Sequence, residues 1–247
     1  MITVCGKHID LDTLRAVPLE RPENAGGVWQ GIQHGDLIET VLDEVFMRGW
    51  CVTDQRYALG KNPSELAAAF ELQIPGTDPP PGQSFSLGLL TSNAMKRRLK
   101  MVVGSNVFVC NNGMATGEIV MLKRHTKHLD LPGEVERSLD EYAIKAREIP
   151  LLVERLRERE LSPFEAEHIL IQAGREGLMP WSRIGQVDEE WRHPRFAEHG
   201  FGTSWALLQA FTWVVKKDPP MRQMEEMNSF RRLLPLAGQP SVLDTAA

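Results

Sequence analysis

Cysteine is scarce and scattered in this chain: Cys5, Cys51 and Cys110 are odd in number, far apart, and form no Cys-x-x-Cys pair. Neither a disulfide framework nor a thiolate zinc site has a basis here, and a reducing, cytoplasmic setting is expected. No eighteen apolar residues run together, and the N-terminus lacks a cationic start followed by an apolar core. No membrane partner and no targeting segment are therefore expected. The glycines form neither a Gly-x-Gly-x-x-Gly nor a Gly-x-x-x-x-Gly-Lys loop, so nucleotide hydrolysis has no support, and no His-Glu-x-x-His is present. Overall positive charge is lacking too. A formal net charge of −5 argues against a protein that coats nucleic acid over its whole surface, although it says nothing about a local patch.

What is present is the composition of a folded globular chain, 42% hydrophobic and 25% charged over 247 residues, with no internal repeat and no low-complexity tract. Its most informative stretch runs from Ser84 to Leu131. Met101-Val102-Val103 and Val107-Phe108-Val109-Cys110 are short, β-branched and aromatic, and are bounded by Gly104-Ser105 and Asn111-Asn112-Gly113. They read as two buried strands that pair. Asn112-Gly113 suits the centre of a two-residue hairpin, because both positions reach φ > 0 cheaply, and a further strand follows from Thr116 to Lys123.

Upstream, residues 1 to 33 read as an arm laid on the domain. Asp36 with Glu39 forms a candidate capping box for a helix whose apolar positions are Leu37, Ile38, Val41, Leu42, Val45 and Phe46, ended by Gly49. Trp50 to Leu59, Leu66 to Ile74 and Ser84 to Leu90 read as strands, with helix an alternative for the second because Ala and Glu favour it. From Pro132 onward Glu, Arg, Leu and Ala dominate. Val135 to Arg159 predicts one or two helices with a natural break at Ile149-Pro150. Ser162-Pro163-Phe164-Glu165 predicts a helix start, and so does Thr203; a last helix is expected from Met221 to Leu234. Leu178 to Gly202 reads as a connecting region with one short helix.

Two basic clusters bracket the central strands: Lys96, Arg97, Arg98 and Lys100 before them, and Lys123, Arg124 and Lys127 after them. Cations grouped on one face neutralise phosphates, and aromatic side chains beside them give bases a platform. With a three-strand antiparallel meander between the clusters, entry and exit fall at opposite ends, so a continuous basic face requires the flanks to fold back. The competing reading is a set of solvated charges that discourage edge pairing. His125 and His128, with Glu165 and His168, are the candidate metal ligands, but only if the fold brings them together. Cys110 reads as a buried strand residue rather than a nucleophile, and Trp205 to Trp213 as core or as a partner surface.

The run Val107-Phe108-Val109-Cys110-Asn111-Asn112, then Gly117-Glu118, then Lys123-Arg124-His125-Thr126, resembles the phage- and plasmid-associated family catalogued as domain of unknown function 932. His34-Gly35-Asp36 and Gly49 are similar to that family's upstream segment. The likeness covers roughly residues 30 to 215, and departs from the family at Asn111 and at Leu90-Thr91-Ser92-Asn93. A more distant likeness is to the single-strand annealing proteins of homologous recombination.

The expectation is an α+β protein: an antiparallel β-meander with an N-terminal helix over 1–130, then a mainly helical region over 131–247 packed on or beside it. The expected activity is non-enzymatic binding or annealing of single-stranded nucleic acid, with single-stranded DNA the expected partner, through Lys96, Arg97, Arg98, Lys100, Lys123, Arg124 and Lys127. A homo-oligomer fits that role, and no cofactor is expected. Two alternatives stay open: a nuclease or other metal-dependent hydrolase using His125, His128 or Glu118, and a protein-protein interaction module.

Overall fold

The structure, a computed structural model, describes residues 9–107, 112–216, 218, 226 and 229–239, with the backbone alone for 106–107 and 112–118. Five strands form one antiparallel sheet in sequence order: β1 (Cys51–Leu59), β2 (Glu65–Gln73), β3 (Gln83–Ser92), β4 (Leu99–Val107) and β5 (Asn112–Lys123). Helices α1 (Leu11–Ala16) and α2 (His34–Met47) precede the sheet. Helices α3 (Leu131–Glu158), α4 (Pro163–Arg175), α5 (Trp181–Arg192) and α6 (Ser204–Val215) follow it. The architecture is the expected α+β one, an N-terminal helical segment, a meander, and a mostly helical second half.

Alternation on the strands sets the core. Leu66, Ala68 and Phe70 of β2, Phe85, Leu87 and Leu89 of β3, and Leu99, Met101 and Val103 of β4 share a single apolar cluster with residues of α2, α3 and α6. Every residue of β3, the middle strand, is buried. The Ala-rich segment Leu66–Leu72 is strand rather than helix because both of its edges are paired, to β1 and to β3, and that pairing outweighs the propensity of Ala and Glu. The Tyr142 hydroxyl of α3 donates to the Ser86 carbonyl at 3.1 Å, fixing that helix against the sheet.

Several expectations are corrected. Gly104-Ser105 is not a turn: β4 runs through it, paired with β3 on one side (Ser86↔Gly104) and with β5 on the other (Gly104↔Ala115). Two ladders satisfy the backbone there, so glycine marks an irregular register instead of a reversal. The β4–β5 register shifts between Met101 and Val102 and again between Val102 and Gly104. Asn112 and Gly113 already belong to β5, opposite Val107 and Asn106, and residues 108–111, including Cys110, lie outside the described residues.

The N-cap of α2 is Gln33, whose side chain accepts from the Gly35 amide at 2.6 Å; Glu39, the expected capping-box partner of Asp36, pairs instead with Arg15 of α1. Pro150 lies inside α3 and does not divide it. A buried stripe of Val135, Leu139, Tyr142, Ala146, Ile149, Val153 and Leu156 continues past it, and the packing of that stripe outweighs one lost amide donor. The segment read as a connection contains α5 of 12 residues and a short 3₁₀ turn, Ala197–His199. Ser162 and Glu165 form the expected capping box of α4, and Thr203 caps α6 by accepting from the Ala206 amide. Much of the expected helix from Met221 lies outside the described residues, although 229–233 is helical.

Candidate functional site

Because β4 is one strand, its entry and the exit of β5 fall at the same end of a single hairpin: Leu99 is opposite Lys123, and Lys100 opposite Leu122. The two basic clusters therefore meet without the flanks folding back. The N-terminal arm closes the same end. Trp29 bridges Thr126 in an antiparallel pair, the Lys127 amide donates to the Val28 carbonyl at 3.0 Å, and the Gln30 amide donates to the His125 carbonyl at 3.4 Å.

A cleft of about 420 Å³ results, walled by Gly26, Val28 and Trp29 of the arm, Ser92 at the end of β3, Met95 to Arg98 of the β3–β4 connection, and Arg124, His125 and Thr126 after β5. Lys96, Arg97, Arg98 and Arg124 line it. A more open depression of about 740 Å³ adjoins it, lined by Lys96, Arg97, Arg98, Lys100, Glu65, Leu90 and Leu122. Five of the seven expected cations thus border one continuous region. Lys96 is held at 3.0 Å by Glu65, whereas Arg98 and Arg124 are exposed and make no ion pair among the described residues. Lys123 is drawn toward α3, where Glu134 takes it at 2.8 Å and also takes Arg137 at 2.7 Å. The Lys123 ammonium, followed by Arg137, holds the Glu134 carboxyl below the usual range. Lys127 is exposed and lines neither space.

Beneath the cleft lies a buried polar network that sequence reasoning missed. The Nδ1 of His125 lies 3.0 Å from Asn93 Oδ1, and its Nε2 lies 2.8 Å from Thr91 Oγ1. Asn93 also accepts from the Ile32 amide at 3.0 Å and donates to the Ile32 carbonyl at 2.8 Å, which fixes its amide orientation and makes His125 Nδ1 the donor. The Thr91 hydroxyl then donates to Nε2, and a neutral imidazole satisfies every partner. Burial, with His34 nearby as a second contribution, pushes the His125 pKa down to about 4. His34 itself lies 3.1 Å from the Pro63 carbonyl, and burial lowers its pKa as well. The available signal was the coincidence of three motif pieces, His34-Gly35, Thr91 to Asn93 and His125-Thr126, each unremarkable alone.

His125 and Glu165, two of the four candidate metal ligands, are occupied otherwise. Both His125 nitrogens are engaged, and Glu165 bonds Ser162 and, at 2.7 Å, Arg159. No group of three or more His, Cys, Asp or Glu side chains suited to a metal occurs among the described residues. The Glu118 side chain lies outside them. Trp205 is core, 2% exposed, and Trp213 is half-buried between Arg195 and Lys216.

A family model titled Domain of unknown function (DUF932) matches residues 83–234, more than half of the chain. The chain belongs to this family. Neither the curated proteins nor the solved structures contain a match. The DUF932 segment starts at β3 and covers all of the basic residues together with Thr91, Asn93 and His125. Trp29, which walls the cleft from the arm, and His34 of α2, which lies near His125, precede it.

Proposed function

We propose that this DUF932 protein binds single-stranded nucleic acid, without cleaving it, at the basic end of the β4–β5 hairpin, in the phage or plasmid setting that its sequence resemblance implies. The observation that carries this reading is the convergence of Lys96, Arg97, Arg98 and Arg124 on one cleft that also contains Trp29. The Arg98 and Arg124 guanidinium groups, exposed and in no ion pair among the described residues, bind phosphate oxygens at little cost in broken ion pairs, and a tryptophan beside them offers a face on which a base can stack.

Four phosphate contacts give a slope of log affinity against log salt of about −3, at about 0.7 per contact for a single strand. Retention of a labelled oligonucleotide across a salt series measures it. Arg98→Ala with Arg124→Ala should reduce the slope by about 1.4, with the oligonucleotide recovered intact. Binding that does not change with salt would reject this role.

A further inference from the structure

The cleft is not uniformly charged, and its non-ionic wall says more about the ligand. Val28, Trp29 and Met95 supply an apolar side, and Met95 is 44% exposed, with φ 60° in the left-handed region that an unbranched side chain enters only at some cost. Arg21 braces the Trp29 ring, its guanidinium 5.6 Å from the ring centroid, while donating to the Ala25 and Gly26 carbonyls at 3.2 and 2.9 Å. Two polar groups in the same wall are unused. Ser92 is fully buried and its Oγ has no hydrogen-bond partner among the described residues, and the Trp29 Nε1–H is likewise buried and unpartnered. A buried donor without an acceptor is costly, so such groups at a cavity wall point to a ligand that completes them.

We infer that the cleft is a pocket for one unstacked nucleobase of a bound strand. The base lies against Trp29, Val28 and Met95 with its polar edge toward the Ser92 hydroxyl, and its flanking phosphates lie on Arg98 and Arg124. This deepens the binding reading above and rests on it. The volume agrees. Small-ligand sites run from about 300 to about 1,000 Å³, and a cleft of about 420 Å³ has room for a base with its sugar. A duplex keeps its bases inside the stack, where such a pocket cannot reach them, and the pocket therefore confers preference for single strands.

The test compares, on the full-length protein at one salt concentration, an oligothymidylate with an abasic strand of the same length and phosphate content. A base pocket predicts that the abasic strand binds about tenfold more weakly, the discrimination that one stacked base supplies. Trp29→Leu should remove that difference by weakening the base-bearing strand alone, and Ser92→Ala should narrow it. Equal, salt-dependent retention of both strands by the unaltered protein would overturn the pocket while leaving the phosphate interface standing, and this comparison needs no variant to fold. Equal weakening of both strands by Trp29→Leu would also overturn it, by making Trp29 a brace of the arm and not a contact. Retention of neither strand would overturn the pocket together with the reading beneath it.

Discussion

At the scale of single residues, His125 shows how burial fixes chemistry. Its ring donates to Asn93 and accepts from Thr91, a pattern that only the neutral form completes, and burial, with His34 nearby as a second contribution, disfavours the charged ring. The native pKa of about 4 lies below the ordinary 6.5, so the unfolded chain binds the proton first as pH falls. Stability is therefore unaffected by this group above pH 6.5, declines as pH drops toward 4, and stops declining below that. The loss is about 3 kcal/mol, from a shift of about 2.5 pH units at 1.36 kcal/mol each. Urea midpoints for the natural protein and for His125→Gln, followed from pH 7 to 4, test this. The stability difference between them should shrink across that window, and a constant difference would show that the imidazole is not the titrating group.

At the scale of elements, the starts of α4 and α6 were legible, since Ser162-Pro163-Phe164-Glu165 and Thr203 carry their caps within a few residues. Helix α5 was not, because its N-cap is Pro180, which offers no side-chain hydrogen bond. Pro150 shows the opposite failure: a strong local breaker inside a 28-residue helix held by its packed face. A proline in a helix interior costs about 3 kcal/mol relative to alanine, part of it in the amide it cannot donate. Pro150→Ala should therefore raise stability by on the order of 1 kcal/mol after some loss of contact by a half-buried ring, read as an upward shift in thermal midpoint. A fall would show that the ring's packing matters more than the missing donor. Gly104 belongs here as well: the same residue type ends a strand in isolation and shifts the register when neighbours pair on both sides.

At the scale of the whole molecule, a chain of net charge −5 gathers cations at one end of its sheet and shelters one of them, Lys123, with Glu134 of α3. Such a distribution binds a polyanion locally or not at all. Exposed cations elsewhere should then contribute little. Arg137→Ala and Arg175→Ala together should leave oligonucleotide affinity within about twofold, whereas Arg98→Ala with Arg124→Ala should lower it by about tenfold or more at low salt, since charge-assisted contacts are worth about 1.5–3 kcal/mol each. Equal effects from both pairs, in the same retention assay, would mean a diffuse field instead of a site.

The sequence by itself determined the α+β class, the approximate positions of β1 to β3, the capped starts of α4 and α6, and the two basic clusters, because periodicity, capping and charge are carried by neighbouring residues. Tertiary structure alone decided that β4 is continuous, and with it that the clusters share one end of a hairpin. The same holds for the network of Thr91, Asn93 and His125 and for the placement of Trp29 beside the arginines. Each of these depends on strand register and on pairing between segments distant in the chain, and a shift of register moves every side chain while leaving the local pattern the same.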